Sequence, residues 1–129
     1  MKRDIVFRGR RTDNGEWATG NLLCFDNGEY RIATSCLCGE EPNLIDVCAY
    51  KVDPETVGQY IGIEDKRGTP IFEGDVVKCK THIHSGYRLR TGEVVYYIDG
   101  FSIKVGCDYK NIPYSENIEI IGNIYDNKE

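Results

Sequence analysis

The stretch Gly92–Gly106, "GEVVYYIDGFSIKVG", sets runs of Val, Ile, Tyr and Phe on either side of an Asp-Gly pair. That pair between alternating apolar residues signals a two-residue β-hairpin turn, because both central positions of a type I′ turn need positive φ. With Asp99 and Gly100 at the centre, Ile98 opposes Phe101, Tyr96 opposes Ile103 and Val94 opposes Val105. One face of the hairpin is then apolar, while Tyr97, Ser102 and Lys104 line the other.

The same alphabet extends outward. Helical periodicity is absent, and Asn-Gly or Asp-Gly turns recur between β-rich runs. "DNG" at Asp13–Gly15 and at Asp26–Gly28 predicts three strands over residues 3–12, 17–25 and 29–35, with Phe25 opposite Tyr30 and Leu23 opposite Ile32. Residues 36–50 lose the alternation and read as a loop with a short irregular strand at its end. In "VDPETVGQY", Asp53 suits a helix N-cap and Pro54 the first helical position, which predicts one short helical turn ending near Gly58. "QYIGIEDKRGTPIF" then gives two short strands about a polar turn, the second kept at a sheet edge by Pro70. "EGD" at Glu73–Asp75 turns the chain into a strand over Val76–His84. In the closing "SENIEIIGNIYDN", Ile118 and Ile120 share a face and Gly122 permits a bulge. The expected fold is mostly β in a single domain. It comprises an N-terminal antiparallel meander (1–50), a turn and short hairpin (51–72), and a small curled sheet or barrel (73–125).

Three blocks, "FRGRR…NGEWATG", "VDPETVGQYIGIEDKRGTPIFEGDVV" and "EIIGNIYDN", occur in an order that resembles the YopX family of phage and prophage proteins, over nearly the whole chain. The resemblance implies a mostly β, oligomeric protein in a bacterial or phage-derived setting. It brings no catalytic residues with it, and residues 29–51 and 79–92 match nothing in it.

Composition bounds the function classes. The chain has 129 residues, enough to bury a core without staples, and 40% hydrophobic residues mark it as globular. No apolar run is long enough for a membrane span, and no secretory h-region follows the N-terminal charges, so a cytoplasmic protein without membrane partners is expected. In that compartment Cys24, Cys36, Cys38, Cys48, Cys79 and Cys107 are expected as free thiols. A net charge of -5 argues against a protein that is cationic overall and wraps nucleic acid.

Cys36 and Cys38 are separated by a single residue, closer than the usual zinc knuckle, and His82 and His84 form an H-x-H pair lacking a third ligand. No metal or cofactor is therefore expected. Acidic pairs at Glu64-Asp65 and Glu73/Asp75 sit in turns that favour such residues anyway, and no nucleophile or phosphate-loop motif accompanies them. This is the pattern of a protein without catalytic activity.

Two surfaces remain. On a strand over Val76–His84, alternation sends Val77, Cys79, Thr81 and Ile83 to one face and Lys78, Lys80, His82 and His84 to the other. Tyr87, Arg88 and Arg90 follow, which makes this acid-free segment the candidate nucleic-acid contact. Ile5, Val6 and Phe7 in the first strand, with Trp17 and Tyr30, form the candidate interface of a homo-oligomer. The leading expectation is an accessory protein acting through contacts with a host or phage protein and with itself. Nucleic-acid binding is the alternative.

Overall fold

The computed structural model describes residues 5–36, 46–83, 85–98, 100–111 and 118–126. The chain divides into two compact units, Met1–Gln59 and Tyr60–Glu129.

In the first unit β1 (Phe7–Arg10), β2 (Trp17–Cys24), β3 (Tyr30–Cys36) and β4 (Asp46–Val52) form an antiparallel meander, and Phe7 and Arg8 of β1 also pair with Gln59 and Gly58. Period-two alternation puts Ala18, Ile32 and Val52 into the core, where Phe7, Leu22, Tyr30, Tyr50 and Val57 pack around them. The second turn departs from the expected register. Cys24 faces Tyr30 and Leu22 faces Ile32, because Asp26-Asn27-Gly28 makes a three-residue loop with Gly28 at φ 86. A one-residue change in pairing exchanges the faces, so Leu22 reaches the core and Leu23 stays 39% exposed.

β4 also departs from the expected structure. It is a regular seven-residue strand, paired with β3 from Tyr30↔Val52 to Cys36↔Asp46, whereas an irregular piece was expected. Its weak alternation reflects its position: β3 alone flanks it, and only its end reaches back to β1. There the Asp53 amide donates to the Arg10 carbonyl and the Thr12 amide to the Lys51 carbonyl. Gly9 is needed at this approach, since a Cβ would stand 3.0 Å from Val52 Cβ. The predicted helical turn is present as a 3₁₀ piece, Pro54–Thr56, capped by Asp53, whose Oδ1 accepts from the Glu55 amide at 3.0 Å.

In the second unit β5 (Gly58–Glu64), which begins in the first, pairs with the edge strand β6 (Pro70–Phe72), as Pro70 requires. A five-stranded antiparallel sheet follows in the order β10-β9-β8-β7-β11. Its strands are β7 (Asp75–Ile83), β8 (Gly86–Tyr97), β9 (Gly100–Val105), β10 (Asp108–Asn111) and β11 (Glu119–Asn123). It is open, not a barrel: β10 and β11 remain its edges. Val77, Cys79, Val94, Ile103 and Ile118 on one face bury against Ile61 and Ile71. The bulge foreseen at Gly122 lies between Ile120 and Gly122.

The β8–β9 register differs by two residues from the Asp-Gly reading. Val94 faces Ile103, Tyr96 faces Phe101 and Tyr97 faces Gly100, which places Ile98, and not Gly100, inside the loop at φ 58. Asp99 lies outside the described residues. Val94 and Ile103, 1% and 2% exposed, are the most buried residues of the hairpin, and their direct opposition outweighs the turn preference of Asp-Gly. A shift of two keeps the parity, so the predicted faces survive.

Candidate binding surface

The open face of the five-stranded sheet follows from its registers. Across β7 and β8, Lys78 opposes Thr91, Lys80 opposes Leu89 and Val76 opposes Glu93. Glu93 opposes Lys104 on β9, and Lys104 opposes Tyr109 on β10. Side chains directly opposite in an antiparallel pair share a face, so all of these stand together, away from the core. At one end Lys66, Lys78, Lys80, Leu89 and Glu119 line a shallow hollow of about 260 Å³. Glu119, opposite Lys78 across β7–β11, is bridged by Lys66 at 3.3 Å and by Arg67 at 2.7 Å. At the other end the rings of Tyr97 and Tyr109 stack in parallel, with centroids 3.7 Å apart and an interplanar angle of 5°.

This geometry divides the basic segment singled out in the sequence. Lys78 and Lys80 lie on the open face as expected, but Arg90 opposes Cys79 and so shares the core-facing side. Its Nε is buried without a hydrogen-bond partner. Burial pushes the Cys79 thiol up from its ordinary value, against the opposing pull of the Arg90 charge. Arg88 stands at the register position opposite Thr81, and Tyr87 opposite His82. The side chains of His82, Tyr87 and Arg88, and all of His84, lie outside the described residues. Counting along one strand cannot reveal which residues of the returning strand share its face; the register does. Tyr97 and Lys104 were legible on the polar face of the hairpin. Lys66, Glu119 and Tyr109 come from elements whose pairing no local motif announces.

The candidate interface residues also separate. Ile5 is 55% exposed and Val6 half-buried, while Phe7 and Tyr30 pack against the core of the first unit. Trp17 lies on the outer face between the guanidinium groups of Arg8 and Arg10, 4.3 Å and 4.7 Å from its ring centroid. The most exposed apolar side chain among the described residues is Ile98, at 80%, with Tyr96 two positions earlier at 61%.

Among the described residues, no group of three or more His, Cys, Asp or Glu side chains is arranged to hold a metal ion, and no helix is long and apolar enough to cross a membrane. Cys24, Cys48 and Cys107 are exposed free thiols, and Cys79 is a buried one.

Residues 6–129 match the family described as YopX protein. Among solved structures the chain is similar to protein EF1440 from Enterococcus faecalis. The TM-score is 0.58 at 21% identity, over 98% of this chain and 96% of that one, a likeness of fold. No curated protein matches it.

Proposed function

Because the chain belongs to the YopX family, we propose that it is a non-enzymatic accessory protein of phage or prophage origin that acts through protein–protein contacts, including contacts with copies of itself. One observation carries this reading: the β8–β9 hairpin presents Ile98 at φ 58 and 80% exposed. A β-branched residue in the left-handed region costs about 1–3 kcal/mol, and an exposed side chain gains no burial to offset it. A pocket on a partner would supply that burial, with Tyr96 beside it as a second anchor of the type that concentrates binding energy.

The test is affinity purification from prophage-bearing cells with nuclease in one arm, using the wild type and Ile98→Gly, with a photo-crosslinking residue at position 98 in parallel. Nuclease-resistant capture that is lost in Ile98→Gly, with cross-links from position 98 to the same protein, supports the reading. Capture that vanishes with nuclease, or is indifferent to position 98, removes it.

A further inference from the structure

We propose that two copies of this chain join along the free edge of β4, by antiparallel pairing about a two-fold axis at Cys48. The inference rests on the self-association reading above and names its surface.

Four strands end the two sheets: β4 and β6 in one, β10 and β11 in the other. Three of these edges are blunted against further pairing. β6 is three residues long and opens on Pro70. β10 has four residues and carries the charges of Asp108 and Lys110. β11 holds the bulge between Ile120 and Gly122, and the Ile120 amide donates to the Asp65 carboxylate at 3.2 Å. β4 has none of these devices. It runs seven residues, Asp46–Val52, without proline or bulge, and its charged residues Asp46 and Lys51 leave Val47 to Tyr50 uncharged between them.

Hydrogen bonding locates the free part of this edge. The Lys51 carbonyl accepts the Thr12 amide, so its backbone groups face away from β3, and alternation turns those of Val47 and Ala49 the same way. From Lys51 onward the edge is closed by residues 10–12. Before it, among the described residues, Arg31 Nη1 donates to the Ala49 carbonyl at 3.0 Å and leaves that oxygen a second lone pair.

A second copy fits because the free segment is symmetric about Cys48. Opposite residues of an antiparallel pair share a face, so under a two-fold each residue opposes one an even number of positions away. Centring on Ala49 would need the occupied Lys51 carbonyl, and centring on Val47 would run past Asp46, where the strand begins. Centring on Cys48 lets Val47 exchange both hydrogen bonds with the partner's Ala49, and the symmetry repeats the exchange on the other side. Cys48, an exposed free thiol, then meets the partner's Cys48 at a non-hydrogen-bonded position. Cα atoms there stand about 4.5 Å apart, within the span of a disulfide.

Oxidation tests the register. In a variant carrying Cys24→Ser, Cys36→Ser, Cys38→Ser and Cys107→Ser, the remaining thiols are Cys48 and the buried Cys79. With diamide, both S–H bonds break as the S–S bond forms, and the diazo bond of the reagent takes up the protons and electrons. A non-reducing gel should show mostly covalent dimer, which is lost when Cys48→Ser is added. Keeping the exposed Cys24 in place of Cys48 should leave the chain monomeric on the gel. Light scattering on a sizing column tests the surface. Val47→Pro removes an outward amide and leaves the β3 ladder intact, so the solution mass should fall to half or less while circular dichroism stays that of the wild type. A wild type that is monomeric at tens of micromolar sinks the self-association reading and this pairing with it. A wild-type oligomer that forms no Cys48 disulfide, or that keeps its mass in a folded Val47→Pro variant, leaves self-association standing and overturns the pairing at β4. If Val47→Pro does not fold, the disulfide decides.

Discussion

The carboxylate of Asp65 accepts a hydrogen bond from the amide of Ile120 at 3.2 Å, across 55 positions of sequence. Its other oxygen accepts from the amides of Arg67 at 2.9 Å and Thr69 at 3.0 Å, and the Lys66 amide next to it donates to the Ile118 carbonyl at 2.9 Å. One side chain therefore shapes the β5–β6 turn and holds β11 to it. That connection also places Glu119 within reach of Lys66 and Arg67, at the hollow on the open face.

Burial alone would raise the Asp65 pKa, but the three amide donors outweigh it and hold the carboxyl below the ordinary value. A folded-state pKa below the unfolded one contributes stability that is fully present above the unfolded value. That stability is lost as pH falls through the folded one. Asp65→Ala should lower stability by about 1–3 kcal/mol at neutral pH, since it strands three donors. Urea unfolding at neutral and acidic pH should show the gap between wild type and variant narrowing in acid.

Ile98→Gly should raise stability by about 1 kcal/mol, because glycine adopts φ 58 without steric cost and the isoleucine side chain packs on little. A rise in the urea midpoint with an unchanged slope is the expected reading. A fall would mean that Ile98 makes contacts its exposure does not suggest.

Two glycines of the same sheet should behave oppositely. A Cβ at Gly92 would stand 2.5 Å from both Ile103 Cγ2 and the Lys104 carbonyl oxygen, so Gly92→Ala should force β8 and β9 apart and cost about 2 kcal/mol or more. Nothing lies within 4 Å of a Cβ at Gly100, and Gly100→Ala should stay within about 0.5 kcal/mol of wild type. Thermal unfolding of the two variants side by side checks both.

The thiols should separate kinetically. Cys24, Cys48 and Cys107 are exposed and should be modified quickly in the native protein. Cys79, 4% exposed and with its thiol pushed up by burial, should react only as the fold opens. Peptide mapping after timed alkylation, with and without urea, gives the order.

Self-association predicts a solution mass at least twice 14.7 kDa by light scattering on a sizing column. Ile5→Glu should lower it, since Ile5 is exposed ahead of β1. A monomer at tens of micromolar would leave the contacts with other proteins as the whole of the proposed function.

Local chemistry determined the elements. Asp53 and Pro54 specify a helical turn whatever surrounds them, Pro70 admits only an edge strand, and the alternation Val77, Lys78, Cys79, Lys80 assigns faces once a strand exists. These are properties of a residue and its immediate neighbours, so they can be read from the chain. Register is different, because it is set by which buried side chains meet across strands. The loop after Phe25 holds three residues where a tighter turn is equally compatible with "DNG", and that single residue puts Leu22 into the core in place of Leu23. Val94 meets Ile103 at the expense of the favoured Asp-Gly turn. The same rule turned Arg90 toward Cys79 and gathered Lys78, Lys80, Lys104 and Tyr109 on the opposite face. An antiparallel neighbour exchanges faces with every one-residue shift in pairing, and only the packed core on the other side of the sheet settles which shift holds.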